Sequence, residues 1–242
     1  MTTARFYVPP AALLEGRLRL EGAEHHHASR VLRMRCGESV QVLDGMGGMG
    51  SGTVTEITAD HTALTVSEVL HEQEKRPRLY LFQALPQGSK IDLVIQWGVE
   101  LGCAVLVPFA SARSRKVDIG LENRLQRWRK IALESSRLAG RPFLPEVTEI
   151  KDWEEALRML DNLEVVLIAD EAGGVRPTVA LAGRSPDELG LCIGPEGGFS
   201  QEEREKLLAG GAIPVTLGDT VLRTETAGMV LLAAVRCHYG LL

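Results

Sequence analysis

The sequence predicts a small β-rich domain followed by a larger α/β domain built on a mostly parallel sheet. Two observations carry this reading. The first seventy or so residues repeat short stretches of polar–apolar alternation, the period of half-buried antiparallel strands. From Leu79 onward, apolar strands alternate with helical spacings, the pattern of a parallel sheet covered on both faces.

In the first domain Ser39–Asp44, Thr53–Thr58 and Ala63–Val69 alternate, and one helix is expected over Glu24–Arg33. Short strands joined by Gly- or Asp-containing connectors suit a small barrel or sandwich. The charged run Glu72–Arg78, which carries Pro77, reads as a linker, so the domains are expected at 1–72 and 73–242.

In the second domain strands are expected at Leu79–Leu85, Ala104–Phe109, Val165–Ala169, Leu189–Ile193 and Pro214–Leu217. Ile91, Val94, Ile95, Gly98 and Leu101 are helically spaced within Ser89–Leu101. Leu121, Leu125, Trp128 and Ala132 share one face of a helix over Leu121–Leu138, and a last helix is expected over Thr224–His238. Ligands of such sheets bind in the loops that follow strand ends.

The chain has 242 residues, 45% of them hydrophobic and 24% charged, which suits a globular protein with a sizeable core. No signal-peptide pattern or membrane-length apolar run is present, so a cytoplasmic protein without membrane contact is expected. Cys36, Cys103, Cys192 and Cys237 form no CxxC pair, which argues against a disulfide framework or zinc site and for buried small hydrophobes. His25, His26 and His27 are consecutive and point apart on a helix, so no metal is expected and they read as surface or ligand-facing residues.

The formal charge is −5, against a nucleic-acid partner if taken alone. The basic residues are clustered, however. Arg30, Arg33 and Arg35 lie together, as do Arg113, Arg115 and Lys116, and Arg124, Arg127, Arg129 and Lys130 crowd one helix ahead of Arg137 and Arg141. Such clusters neutralise phosphates whatever the total charge.

Gly45–Gly50 matches GxGxxG, but a dinucleotide loop must open a helix, and the residues that follow are β-patterned. A flexible hairpin loop is the better reading. The loops late in the chain differ. Ile193-Gly-Pro-Glu-Gly-Gly198 follows an apolar strand and precedes Ser200–Glu203, a capping box. Leu217–Ala227 again joins a strand end to a helix start, with Thr224 as expected N-cap and Arg223 beside it. Glycines here let a ligand approach the backbone, and Asp170–Gly174 follows a third strand as a further wall.

IGPEGGFS (Ile193–Ser200) together with LGDTVLRTETA (Leu217–Ala227) closely resembles the 16S rRNA uracil-N3 methyltransferases, members of the SPOUT class. Arg5–Val8, His27–Met34, Phe82–Gly102 and Arg141–Val147 extend the resemblance over the whole chain. It implies a PUA-like β-barrel RNA-binding domain, an α/β catalytic domain with a C-terminal trefoil knot, a homodimer, S-adenosylmethionine as cofactor, and 16S rRNA within the small ribosomal subunit as substrate.

Carried over, the cofactor site comprises Leu167 or Ala169, Ile193, Gly194, Pro195, Glu196, Gly197, Gly198, Leu217, Gly218, Leu222, Thr224 and Ala227. RNA contacts are expected from Arg30, Arg33, Arg35, Lys90, Arg113, Arg115 and Arg141. N3 of uridine must lose a proton or have its developing anion stabilised. Arg223 is the candidate for the anion, and Glu225 or Glu196 for a base or a loop-fixing carboxylate. Trp97, Arg137 and Leu138 depart from the family pattern and are expected to face substrate or partner protomer. Two other functions stay open: an RNA-binding assembly protein without catalysis, and a SPOUT methyltransferase with another target nucleotide.

Overall fold

A computed structural model describes residues 3–114 and 121–242. The chain divides into two compact units, one comprising Met1–Glu74 with Ser136–Leu144, the other Lys75–Ser135 with Pro145–Leu242.

The first unit is a mixed five-stranded sheet, β1 (Ala4–Tyr7), β2 (Arg17–Leu20), β3 (Ser39–Leu43), β4 (Gly48–Ile57) and β5 (Thr62–His71), in the order β1-β3-β4-β5-β2. β1 runs parallel to β3 and the other pairings are antiparallel. Helix α1 (Pro10–Leu14) and a short segment, α2 (Gly22–His26), complete it with a π-type turn at His27–Val31. Phe6, Leu13, Leu20, Val42 and Leu64 form its core.

β1, α1 and β2 were not among the sequence expectations, because four- and five-residue elements are too short to establish a period. The expected helix over Glu24–Arg33 instead passes from α2 into the π-type turn, where Leu32 N–H donates to His27 O. The histidines are not simply surface residues. His25 Nε2 donates to Ala59 O, its Nδ1 is hydrogen-bonded to the Thr62 hydroxyl, and His27 packs edge-on against Phe6. Cys36 and Cys237 are exposed rather than buried, whereas Cys103 and Cys192 lie in the core.

The glycine-rich stretch Gly45–Gly50 does make the turn of the β3–β4 hairpin, as expected, but the turn is tied down rather than free. Its second half begins β4, Gly47 N–H donates to Pro142 O, and Leu144 N–H donates to Gly45 O. The segment 136–144 is further held by β1, where Arg5 donates to the carbonyls of Arg137 and Leu138 and the Tyr7 hydroxyl donates to Arg141 O. Burial pushes the Tyr7 hydroxyl up to about 12, against the opposing influence of nearby arginines. The resembling segments Arg5–Val8 and Arg141–Leu144 thus meet within the first unit.

The second unit is a six-stranded parallel sheet, made of β6 (Arg78–Ala84), β7 (Val105–Phe109), β8 (Glu146–Val147), β9 (Val165–Ala169), β10 (Glu188–Ile193) and β11 (Ile213–Val215). The order is β11-β9-β10-β6-β7-β8, so the chain runs outward through β7 and β8, returns to β9, and then inserts β10 between β9 and β6.

Strand side chains alternate between two cores, as the period of two requires. Leu79, Leu81, Leu167, Leu189 and Leu191 face α3 (Lys90–Glu100), α4 (Leu121–Ala139), α6 (Pro177–Ala180) and α8 (Thr224–His238). Phe82, Val166, Ile168 and Cys192 face α5 (Trp153–Asp161) and α7 (Gln201–Ala209). Capping boxes start α5 at Asp152 and α7 at Ser200. The Glu-Leu-Gly at 100–102 has a local cause: Arg236 donates to Leu101 O, and a Cβ on Gly102 would occupy the guanidinium's place.

Candidate functional site

The carboxyl ends of the parallel strands open onto a cleft of about 870 Å³. It is walled by the loops after β9 (Asp170, Glu171, Ala172), after β10 (Gly194–Gln201) and after β11 (Thr216–Arg223), with Lys90, Arg113 and Ala227 at its border. This is the crevice in which open α/β sheets bind ligands.

The loop after β10 is narrow at its three glycines, Gly194, Gly197 and Gly198. Gly198 N–H donates to Pro195 O, and a Cβ on Gly194 would stand 3.3 Å from the Gly198 backbone. Gly198 has φ +66, and a Cβ there would meet Glu171 Oε1 at 2.8 Å. Behind the loop, Phe199 packs on Trp153, which packs on Phe109. Buried Glu203 accepts from Ser200 N–H at 2.8 Å and from Ala112 N–H at 2.7 Å, tying the start of α7 to the loop after β7. Arg113 Nη1 reaches over to donate to Gly197 O at 2.7 Å.

The loop after β11 meets the loop after β10 at Thr224. This residue occupies the first turn of α8, one position past the N-cap Arg223, and makes no cap bond. Its hydroxyl is instead turned to Gly194 O at 2.5 Å and to Gln83 Nε2 at 2.8 Å. A helix-initiating threonine expected to cap its own helix thus serves the neighbouring loop. Gln83 itself escaped the sequence reading, although a lone amide inside the apolar strand Leu79–Leu85 was its signal.

Lys90, the first residue of α3, lies 3.0 Å from Glu196 Oε1 and 3.5 Å from Glu225 Oε2. Glu196 also accepts from Gln87 N–H. Burial works against ionisation of Glu196, but hydrogen bonds from its own N–H, Gln87 and Lys90 outweigh it and hold the carboxyl below the usual range. The Glu196 hydrogen bond raises the Lys90 ammonium in turn. Arg223 is exposed at the cleft and, among the described residues, has no side-chain partner.

Most of the expected cofactor residues border the cleft: Ala169, Ile193, Gly194, Pro195, Glu196, Gly197, Gly198, Leu217, Gly218, Leu222, Thr224 and Ala227. Leu167 does not, because it lies one ladder step deeper on β9 and is fully buried. Glu225 also stands back from the cleft, buried beside Lys90. Arg30, Arg33 and Arg35 are exposed in the first unit and Arg141 is half-buried there, while Arg115 lies outside the described residues. Arg137 departs from its expected outward role: it is buried and pairs with Glu24, whereas Leu138 is exposed and Trp97 half-buried. No metal-binding group of His, Cys, Asp and Glu occurs among the described residues, and no helix there is long and apolar enough to cross a membrane.

The family profile described as "RNA methyltransferase domain" matches residues 72–236, and one described as "RNA methyltransferase PUA domain" matches residues 20–66. The chain belongs to the RNA methyltransferase family. Its enzymatic class follows from that membership.

Among relatives, the ribosomal RNA small subunit methyltransferase E of Mycobacterium bovis is 30% identical over 89% of this chain and 84% of its own length. The Bacillus subtilis protein of the same name is 29% identical over 92% and 91%. Among solved structures, a Neisseria gonorrhoeae methyltransferase of that name, bound to S-adenosylmethionine, superimposes with a TM-score of 0.85 at 26% identity, covering 98% of both chains. A Legionella pneumophila methyltransferase with bound S-adenosylmethionine gives 0.86 at 27% identity, again over 98% of both chains.

Proposed function

We propose that this RNA methyltransferase transfers a methyl group from S-adenosylmethionine to N3 of a uridine in 16S ribosomal RNA. The observation that carries the reading is the convergence of the loops after β9, β10 and β11 on one cleft whose inner wall is glycine backbone. A cleft of about 870 Å³ lies within the range for an adenosine-sized ligand. Ile193, Leu217, Leu222 and Ala227 supply apolar walls, and the Gly194–Gly198 backbone leaves polar groups within a ligand's reach. These residues fit the methyl donor.

When bound, S-adenosylmethionine supplies a methyl group on a sulfonium that is already a good leaving group. What remains for the protein is alignment and charge. Arg223, exposed at the cleft and without a side-chain partner among the described residues, is our candidate for stabilising negative charge on the uracil oxygens. Glu196, held ionised and hydrogen-bonded, is a weak base, so its role is to fix the loop with Lys90. Glu225, back from the cleft, holds Lys90 from the other side.

The reading includes a PUA-like barrel over residues 1–72 that presents Arg30, Arg33 and Arg35 to RNA, with Lys90, Arg113, Arg115 and Arg141 as further contacts. It also includes a trefoil knot in residues 73–242, a cytoplasmic homodimer, and 16S rRNA in the small ribosomal subunit as substrate. Mapping methylated bases in 16S rRNA from a deletion strain, before and after incubation with the protein and S-adenosylmethionine, tests the reading. A new N3-methyluridine supports it. Methylation elsewhere assigns another target nucleotide, and none at all assigns a non-catalytic RNA-binding role.

A further inference from the structure

Gln83 is a fully buried amide at the carboxyl end of β6 that does not itself border the cleft. Its Nε2 donates to Ala84 O at 3.0 Å and to Thr224 Oγ1 at 2.8 Å. A hydroxyl has one proton to give. Because Thr224 receives from Gln83, its own proton is left for Gly194 O, 2.5 Å away. The direction of every bond in the chain is therefore determined by its partners.

The opposite amide orientation breaks this chain. Gln83 Oε1 would face the Ala84 carbonyl, acceptor against acceptor, and would draw the Thr224 proton away from Gly194. In the orientation present, Oε1 has no hydrogen-bond partner among the described residues. A buried acceptor left without a donor costs free energy, and that cost is accepted here at the point where β6, β10 and α8 meet.

We infer that Gln83 is a positioning residue for the methyl-donor site, forcing the Thr224 hydroxyl to donate to Gly194 and so fixing the glycine-rich loop against α8. It acts through Thr224 and Gly194, which border the cleft. The inference rests on the cleft being the methyl-donor site.

Calorimetric titration of S-adenosylmethionine into the full chain, with thermal unfolding of each variant, tests it. Gln83→Glu, titrated at a pH where its carboxyl is ionised, replaces a donor by an acceptor-only carboxylate, so the Thr224 hydroxyl turns away from Gly194. Thr224→Val deletes the hydroxyl at nearly constant shape, and Thr224→Ser keeps it. Loss of one well-placed hydrogen bond weakens binding by about 10-fold in Gln83→Glu and Thr224→Val, and Thr224→Ser stays within about twofold of the unaltered chain. A purely structural role lowers the melting temperature of Thr224→Val without moving the Kd of its folded form. If Gln83→Glu does not fold, the valine and serine pair decides. Binding by the unaltered chain that a folded Gln83→Glu, or Thr224→Val, leaves within about twofold overturns the proposal alone. No binding by the unaltered chain overturns the reading of the cleft and the proposal with it.

Discussion

Lys90 stands between Glu196 and Glu225, its ammonium 3.0 Å from one carboxylate and 3.5 Å from the other. With Gln87 N–H also donating to Glu196, this cluster binds the loop after β6, the loop after β10 and the first turn of α8. The Glu196 carboxyl lies below its ordinary value of 4.5, so its contribution is present above that value and is lost as pH falls through the lowered one. The Lys90 ammonium lies above 10.5, so its contribution is present below that value and is lost as pH rises through the raised one. Across neutral pH the cluster stays intact. An NMR titration of the Glu196 carboxyl is expected to give a midpoint below that of the same residue in Lys90→Met. Equal midpoints contradict the pairing.

Arg223→Ala is expected to lower turnover by about 100-fold or more while leaving S-adenosylmethionine binding within about twofold, because its guanidinium meets charge that develops only in the transition state. Transfer of a radiolabelled methyl group to RNA, together with calorimetry, separates the two quantities. Unchanged turnover removes Arg223 from the chemistry.

Gly198→Ala places a Cβ at φ +66 and 2.8 Å from Glu171 Oε1. The left-handed conformation alone costs about 1 kcal/mol in the folded protein, and loop displacement adds a loss of donor affinity. Urea unfolding and calorimetry measure the two effects. A variant as stable and as tightly binding as the parent contradicts the role given to this glycine.

Glu203→Ala removes a buried carboxylate and leaves the N–H groups of Ala112 and Ser200 without their acceptor. The loss of two charge-assisted bonds, with donors that water can partly reach, is expected to cost about 2 kcal/mol of unfolding free energy. A urea midpoint unchanged from that of the parent contradicts this.

Legibility followed element length and chemistry. Val165–Ala169 and Thr224–His238 were readable to the residue because an apolar run and a long helical period each outlast local noise. β1, α1, β2 and β8 were not, being two to five residues long and held in place by distant partners. The site was legible where it is backbone: the glycines of both loops were readable as a cradle and stand in the cleft wall. Side-chain partners were not. Nothing in the sequence joins Gln83 to Thr224, 141 residues away, or shows that Lys90 pairs with Glu196. Sheet order makes both pairs neighbours, since β10 lies between β9 and β6.

The most direct test of the central claim is a crystal structure of the full chain with S-adenosylmethionine. The donor is expected between the Gly194–Gly198 loop and the Leu217–Arg223 loop, against Ile193 and Ala227. A cleft that stays empty while the donor binds elsewhere, or that is closed by its own side chains, contradicts the account.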